Sequence, residues 1–194
     1  PDTYYCSAGM SDLIILQRAF QKMEDVLEEE WNGRQGDLPI KTRDEALTLA
    51  SIVEKETGKA EERALIAGVF VRRLRIGMKL QTDPTVIYGI GDRFNGNLTI
   101  KDLRTPSAYN TYVIKGLPPT PIAMPGRHAL HAALNPEDTR ALYFVSRGDG
   151  SHEFSETYEQ HNRAVTKYQL KGRPKTEAPV KPVAASGKAV RATP

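Results

Sequence analysis

The spacing of apolar positions divides this chain into segments. Over residues 10–31, Leu13, Leu16, Phe20, Met23 and Leu27 return at steps of three and four, the spacing of one stripe on an amphipathic helix. Ser11 or Asp12 stands where an N-cap is wanted. The far end, Glu24-Asp25 and Glu28-Glu29-Glu30, is acidic. It opposes the helix dipole, so the last turn is expected to be weak. Gly33, Gly36 and Pro39 then mark a loop.

A second helix is predicted over residues 43–57. Thr42-Arg43-Asp44-Glu45 has the form of a capping box, Ala46, Leu49, Ala50 and Val53 make the stripe, and Gly58 stands where a left-handed C-terminal residue is expected. A third follows over 60–75, with Leu65, Val69 and Phe70 inward and Gly77 as its stop. The short connection at Gly58 predicts a hairpin or a sharp corner. From 78 to 126 the helical period fades. Thr85-Val86-Ile87-Tyr88 predicts a short strand and 99–103 a helical turn. Gly116-Leu117-Pro118-Pro119-Thr120-Pro121 must be extended or turned, because proline lacks an amide donor and restricts its predecessor. Long irregular stretches inside a domain tend to be functional.

Residues 127–134 read as a short helix ending at Asn135-Pro136. Leu142-Tyr143-Phe144-Val145 and His152-Glu153-Phe154-Ser155 flank Arg147-Gly148-Asp149-Gly150, a β-hairpin signal. A last helix is predicted over 156–168, with Tyr158, His161, Val165 and Tyr168 on one stripe. The expected class is α+β: a helix-rich single domain, residues 1–170, with a small antiparallel hairpin and a long irregular groove-forming segment. Residues 171–194 are rich in Pro, Ala, Lys and Thr and are expected to form a disordered basic tail.

Charge sharpens that division. The net charge is +3, but the tail holds six basic residues against Glu177 alone, a net of +5, so residues 1–170 sum to −2. A near-neutral body argues against nucleic acid as the main ligand, since phosphate binding needs a basic face. The single Cys6 allows no internal disulfide. The longest apolar run, Leu13-Ile14-Ile15-Leu16, ends at Gln17, far short of the roughly 18–20 residues that span a bilayer. The chain starts Pro1-Asp2-Thr3, without a signal pattern. Its N-terminus is therefore expected to be a boundary or a processing site, with any anchor ahead of it.

Three segments offer chemistry. Glu54 and Glu56 fall on opposite flanks of the buried stripe of the second helix, with Lys55 outward between them. Both lie in the last turn, where the dipole raises a carboxyl's pKa, as a general acid requires. The plain alternative is a solvated helix face. Gln81-Thr82-Asp83-Pro84-Thr85 combines amide, hydroxyl and carboxylate, which suit sugar hydroxyls and N-acetyl groups; the alternative is a proline-anchored turn. Ala108-Tyr109-Asn110-Thr111-Tyr112 interleaves aromatics with polar groups, fit either to stack on pyranose faces or to form a strand with half-buried tyrosines. His128, His131, His152 and His161 match no metal spacing, and no phosphate-binding loop or nucleophile elbow is present. No metal and no cofactor are therefore expected.

Taken together, several ordered motifs resemble the MltG (YceG-like) family of endolytic murein transglycosylases. They are Leu49-Ala50-Ser51-Ile52-Val53-Glu54-Lys55-Glu56-Thr57, Leu80-Gln81-Thr82-Asp83-Pro84-Thr85-Val86-Ile87-Tyr88-Gly89, Ala108-Tyr109-Asn110-Thr111-Tyr112, Gly116-Leu117-Pro118-Pro119, Leu134-Asn135-Pro136 and His152-Glu153-Phe154. The resemblance runs from Pro1 to about Tyr168. It implies cleavage of the β-1,4 bond between N-acetylmuramic acid and N-acetylglucosamine, leaving a 1,6-anhydro end, and so a limit on nascent strand growth. It assigns the catalytic carboxyl to Glu56, with Glu54 as the alternative. The substrate-binding set it implies is Gln81, Thr82, Asp83, Tyr109, Asn110, Thr111, Tyr112 and His152. Peptidoglycan strands are the implied partner, with penicillin-binding peptidoglycan synthases as further partners. The implied setting is the periplasmic face of a bacterial inner membrane, reached through an N-terminal anchor outside this sequence. The basic tail is a departure from the family. Two other readings compete: a lysozyme-like hydrolase, which needs a second carboxylate or a positioned water, and a non-catalytic peptidoglycan-binding or scaffold module.

Overall fold

The computed structural model describes residues 2–170; the tail predicted over 171–194 lies outside the described residues. Helix α1 (Asp12–Asn32) starts at an Ser11 N-cap whose side chain accepts from the Leu13 amide. Its predicted apolar stripe is only partly used. Val26 and Leu27 are buried, whereas Leu13, Leu16 and Phe20 stay exposed, because only the C-terminal half of the helix meets the core. The acidic end, expected to be weak, is held by two side chains from a later helix. Arg127 Nη1 donates to Glu29 (2.8 Å) and to Glu30 (3.0 Å), and His131 Nδ1 lies 2.8 Å from Glu30.

Helix α2 (Arg43–Glu56) is the central element. Half of the predicted capping box forms: Glu45 N donates to Thr42 Oγ1 at 3.1 Å, whereas the Glu45 carboxylate reaches past the N-cap and takes the Lys41 amide. Burial extends beyond the predicted stripe to Thr48, Ser51 and Ile52, because α1, α3, α4 and α6 all pack around the helix. Its buried hydroxyls are satisfied: Thr48 donates to Asp44 O, and Ser51 donates to Thr48 O while accepting from Ile122 N at 2.9 Å. Gly58 is not left-handed; the cap residue is the extended Thr57, with φ −144°. The chain therefore turns out of α2 by extension, through a 3₁₀ turn at Ala60–Glu62, into α3 (Arg63–Arg75).

The predicted strand at 85–88 is a helix. α4 runs Asp83–Ile90, with Pro84 in its first turn and Asp83 at its positive end. Both are helix-start signals, and they override the β-branched run that favours a strand. α5 (Ile100–Arg104) has a full Thr99/Asp102 capping box, and α6 occupies Arg127–Leu134. Strands β1 (Tyr143–Ser146) and β2 (His152–Ser155) form the antiparallel hairpin, with Phe144 opposite Phe154, and α7 (Tyr158–Tyr168) closes the fold. The segment 108–112 is a series of turns rather than a strand.

Leu49, Ile52, Val53, Ile66, Phe70, Leu130 and Leu134 are the heart of the core, each contributing about 1.5–3 kcal/mol by burial. Phe144 seats the hairpin edge-on against Phe70, with ring centroids 5.8 Å apart. No helix among the described residues is long and apolar enough to cross a membrane.

Candidate active site

Core packing fixes where α2 ends, and its last residue, Glu56, emerges half-buried opposite the segment entering α4. The Thr82 hydroxyl donates to Glu56 Oε1. Thr82 is itself locked from behind. Its amide donates to Thr111 Oγ1 at 3.0 Å, its carbonyl accepts from Thr85 Oγ1 at 2.8 Å, and the Thr85 and Thr111 hydroxyls lie 2.9 Å apart. All three threonines are buried. They form a closed polar network that fixes the hydroxyl facing Glu56, and a fully satisfied buried network is rigid.

Arg73 is the second anchor. This buried guanidinium donates from Nε to Leu142 O at 2.6 Å and from Nη1 to Leu80 O at 2.5 Å. It thus ties the segment before Thr82 to the segment before β1. Between these ties, Gln81 takes φ of 50°, an uncommon conformation for a residue with a side chain and one that concentrates at functional sites. The Gln81 amide is held by Thr111 O at 3.1 Å.

The electrostatics follow from this packing. Burial pushes the Glu56 carboxyl up from 4.5 to about 7. The Thr82 hydrogen bond pulls it down, the Asp83 carboxylate adds to the rise, and His152 and Arg73 pull down more weakly. At neutral pH this group is poised between its protonated and charged forms. Asp83 is exposed and accepts from Tyr112 Oη at 2.5 Å. Burial, then Asp83, pushes the Tyr112 phenol well above its ordinary value, so it remains a donor.

The other expected residues divide by what holds them. Glu54 accepts the Gly126 amide at 3.1 Å, at the N-cap of α6, and so is engaged away from Glu56's partners. Asn110 is buried. Its Nδ2 donates to the carbonyls of Asp102, Leu103 and Thr105 (3.1, 3.2 and 2.7 Å), and its Oδ1 accepts from Tyr112 N. It therefore shapes the 105–112 turns. Tyr109 packs on Tyr88 with ring centroids 4.9 Å apart, and its hydroxyl meets Thr120 at 2.7 Å. His152 is bound to Glu62 through Nδ1 at 2.7 Å, and its amide donates to the same carboxylate at 3.0 Å. The structure thus brings Glu56, Thr82, Asp83, Thr111 and Tyr112 into one connected cluster, with Gln81 and Arg73 adjoining. Arg73 had no sequence signal as a site residue: with Arg72 and Arg75 beside it, it reads as part of a basic last turn. Among the described residues, no group of acidic, histidine or cysteine side chains could hold a metal ion.

Chemically, the arrangement can hold a proton on one carboxyl at neutral pH, orient it through a fixed hydroxyl, and present a phenol and a carboxylate beside it. Comparison with known proteins adds context. A family model described as the YceG-like family matches residues 1–167. A Bacillus subtilis protein named endolytic murein transglycosylase is 44% identical over 122 residues, covering 63% of this chain and 34% of that protein. One of the same name from Streptococcus pneumoniae serotype 2 is 36% identical over 133 residues, covering 66% of this chain and 24% of that protein. The chain therefore spans about a quarter to a third of these relatives' length. A solved yceG-like protein from Listeria monocytogenes superposes with a TM-score of 0.68 at 36% identity, over 84% of this chain and 53% of that one.

Proposed function

This chain belongs to the YceG-like family, and on that premise we propose that it is the glycan-cleaving region of an endolytic murein transglycosylase, with Glu56 as its single acid/base. The observation that carries the reading is the Glu56 carboxyl itself: half-buried, raised to about 7, and held by the Thr82 hydroxyl beside Gln81 and Asp83.

Protonated Glu56 donates to the oxygen bridging N-acetylmuramic acid and N-acetylglucosamine as that bond breaks. An oxocarbenium-like centre develops at the muramic anomeric carbon. The glutamate, now charged, takes the proton of the same sugar's 6-hydroxyl, whose oxygen closes onto that carbon to give the 1,6-anhydro end. The proton balance closes on Glu56. The nucleophile is internal, so the paired-carboxylate geometry of ordinary glycosidases is not required. Gln81, Asp83, Tyr109 and Tyr112 are assigned to contact the sugars. Thr82, Asn110, Thr111 and His152 act behind them by holding the frame. Glu54 serves the α6 cap. In the whole protein this cleavage would limit strand elongation outside the cytoplasm, at the periplasmic face of the inner membrane and beside penicillin-binding peptidoglycan synthases.

Digestion of purified sacculi, followed by mass analysis of the new ends, tests the reading. The expected ends are one water lighter than hydrolytic ends, and Glu56→Gln is expected to slow their release by about 10²–10⁴-fold, the usual contribution of a general acid. Reducing ends one water heavier would establish a hydrolase instead. Undiminished cleavage by Glu56→Gln would remove Glu56 from the mechanism.

A further inference from the structure

The proposed cleavage step uses the N-terminal end of α4. The other end of the helix opens onto a separate cavity of about 380 Å³, closed on its far side by α5 and the 105–110 turns. Val86, Ile90 and Pro106 give it apolar walls, and Arg93 and Lys101 stand exposed on its rim. Among the described residues, neither cation is within ion-pairing distance of a carboxylate. The acid on the wall, Asp102, is already engaged. Its Oδ2 accepts from the Thr99 amide at 2.9 Å and from the Thr99 hydroxyl at 2.6 Å, and these bonds hold its carboxyl below the usual range. The Lys101 charge also favours that carboxylate, so the cavity carries two cations without a direct ion pair against one carboxylate already engaged by Thr99, a net charge of +1.

Its walls are fixed. A Cβ placed on Gly89 would lie 3.0 Å from Tyr109 Cβ and 3.1 Å from Ser107 Oγ, so α4 and the 107–109 turn are in close contact there. Asn110 pins α5 to that turn through its three carbonyl bonds. The same stretch continues into Thr111 and Tyr112, which hold Thr82 and Asp83. The cavity and the Glu56 cluster thus share one rigid unit: the lining begins at Val86, one turn after Asp83, and its cation Arg93 stands past the far end of α4, whose eight residues rise about 12 Å at 1.5 Å per residue.

We propose that this cavity is a carboxylate subsite that receives the peptide stem of the murein strand cleaved at Glu56, an inference that rests on the function proposed above. The backbone sugars of such a strand are mostly neutral, and its negative charge is concentrated in stem carboxylates. A stem leaving the muramic lactyl group can run along α4 to Arg93 and Lys101. There the guanidinium can bind a carboxylate with two parallel hydrogen bonds, while the apolar walls take the small aliphatic side chains of the stem. The subsite makes the protein a reader of substituted glycan rather than of bare sugar.

The test measures binding with the Glu56→Gln protein, so that cleavage does not intervene. Two glycan oligomers of equal length serve as probes, one carrying its stems and one stripped of them by an amidase. The stem-bearing oligomer is expected to bind roughly five- to tenfold tighter, the scale of two partly screened charge pairs. Adding Arg93→Ser and Lys101→Ser should abolish that difference and leave affinity for the stripped oligomer within about twofold; adding Arg93→Lys instead should keep only part of it, because the charge stays and the two-pronged hydrogen bonding is lost. Both side chains are exposed, and an unchanged melting temperature checks that the fold survives. Equal affinity for the two oligomers, or a preference that persists in the double substitution, overturns the subsite while leaving the murein reading intact. Failure to bind either oligomer removes both.

Discussion

At the residue scale, the account turns on how the neighbours of Glu56 set its proton affinity, and they push in opposite directions. Burial raises the carboxyl to about 7, Asp83 adds to the rise, and Thr82 lowers it. If Glu56 must enter the reaction protonated, kcat/KM should be flat at acidic pH and fall tenfold per unit above about 7. Asp83→Asn should move that falling limb to lower pH. Thr82→Val should move it to higher pH, with a loss of rate because the carboxyl is no longer oriented. Opposite displacements by two adjacent substitutions are hard to obtain from a merely structural perturbation. A stability consequence also follows. A carboxyl whose folded pKa lies above its unfolded value contributes most below the unfolded value, near 4.5, and loses that contribution as pH rises through about 7. Glu56→Gln, which stays neutral, should therefore be more stable than the wild type at pH 8, by roughly 2–4 °C in melting temperature for each kcal/mol recovered, and the advantage should vanish near pH 4. Thermal melts at the two pH values check this.

At the scale of elements, what could be read from the sequence depended on whether the signal was local. The Thr42 cap, the 127–134 helix and the hairpin are encoded by nearby residues, and all three form. α4 was misread because its β-branched residues outweighed the Asp83-Pro84 start. The turns at 108–112 differ from the strand that their tyrosines offered as an alternative, because they depend on one side chain, Asn110, gathering three carbonyls from a preceding segment. The anchoring of α1's acidic end by Arg127 joins residues nearly a hundred positions apart, and no local pattern announces it. Close approach is equally hidden. A Cβ on Gly68 of α3 would fall 2.2 Å from Glu137 O, while the Glu137 amide bonds Ala64 O at 3.0 Å. Helix propensity alone favours Gly68→Ala, yet packing predicts a loss of about 1–3 kcal/mol, measurable by denaturant unfolding. Arg73→Met should release the carbonyls of Leu80 and Leu142. The expected result is lower kcat with little change in KM, and a larger stability loss than Arg73→Lys.

For the whole molecule, the core and the site are one construction. α2 runs through the centre of the packing and ends at Glu56, and the α4–α5 region holds both the partners of that carboxyl and the cavity beyond. The N-terminal half of α1 stands apart: Leu13, Leu16 and Phe20 are exposed, and Val26 and Leu27 are the first of its residues to be buried. Amide exchange should report this directly, with 13–20 opening far more readily than α2 or α3. The candidate carboxyl was legible in the sequence because it sits at the end of a well-punctuated helix. Its partners were legible only as motifs, since their roles depend on which side chains the fold buries and which it leaves free. The most direct test is a pH titration of the Glu56 side-chain carboxyl by ¹³C NMR, assigned by comparison with Glu56→Gln. The account predicts a midpoint near 7, moved down by Asp83→Asn. A midpoint at the ordinary glutamate value of about 4.3, unmoved by Asp83→Asn, would contradict it.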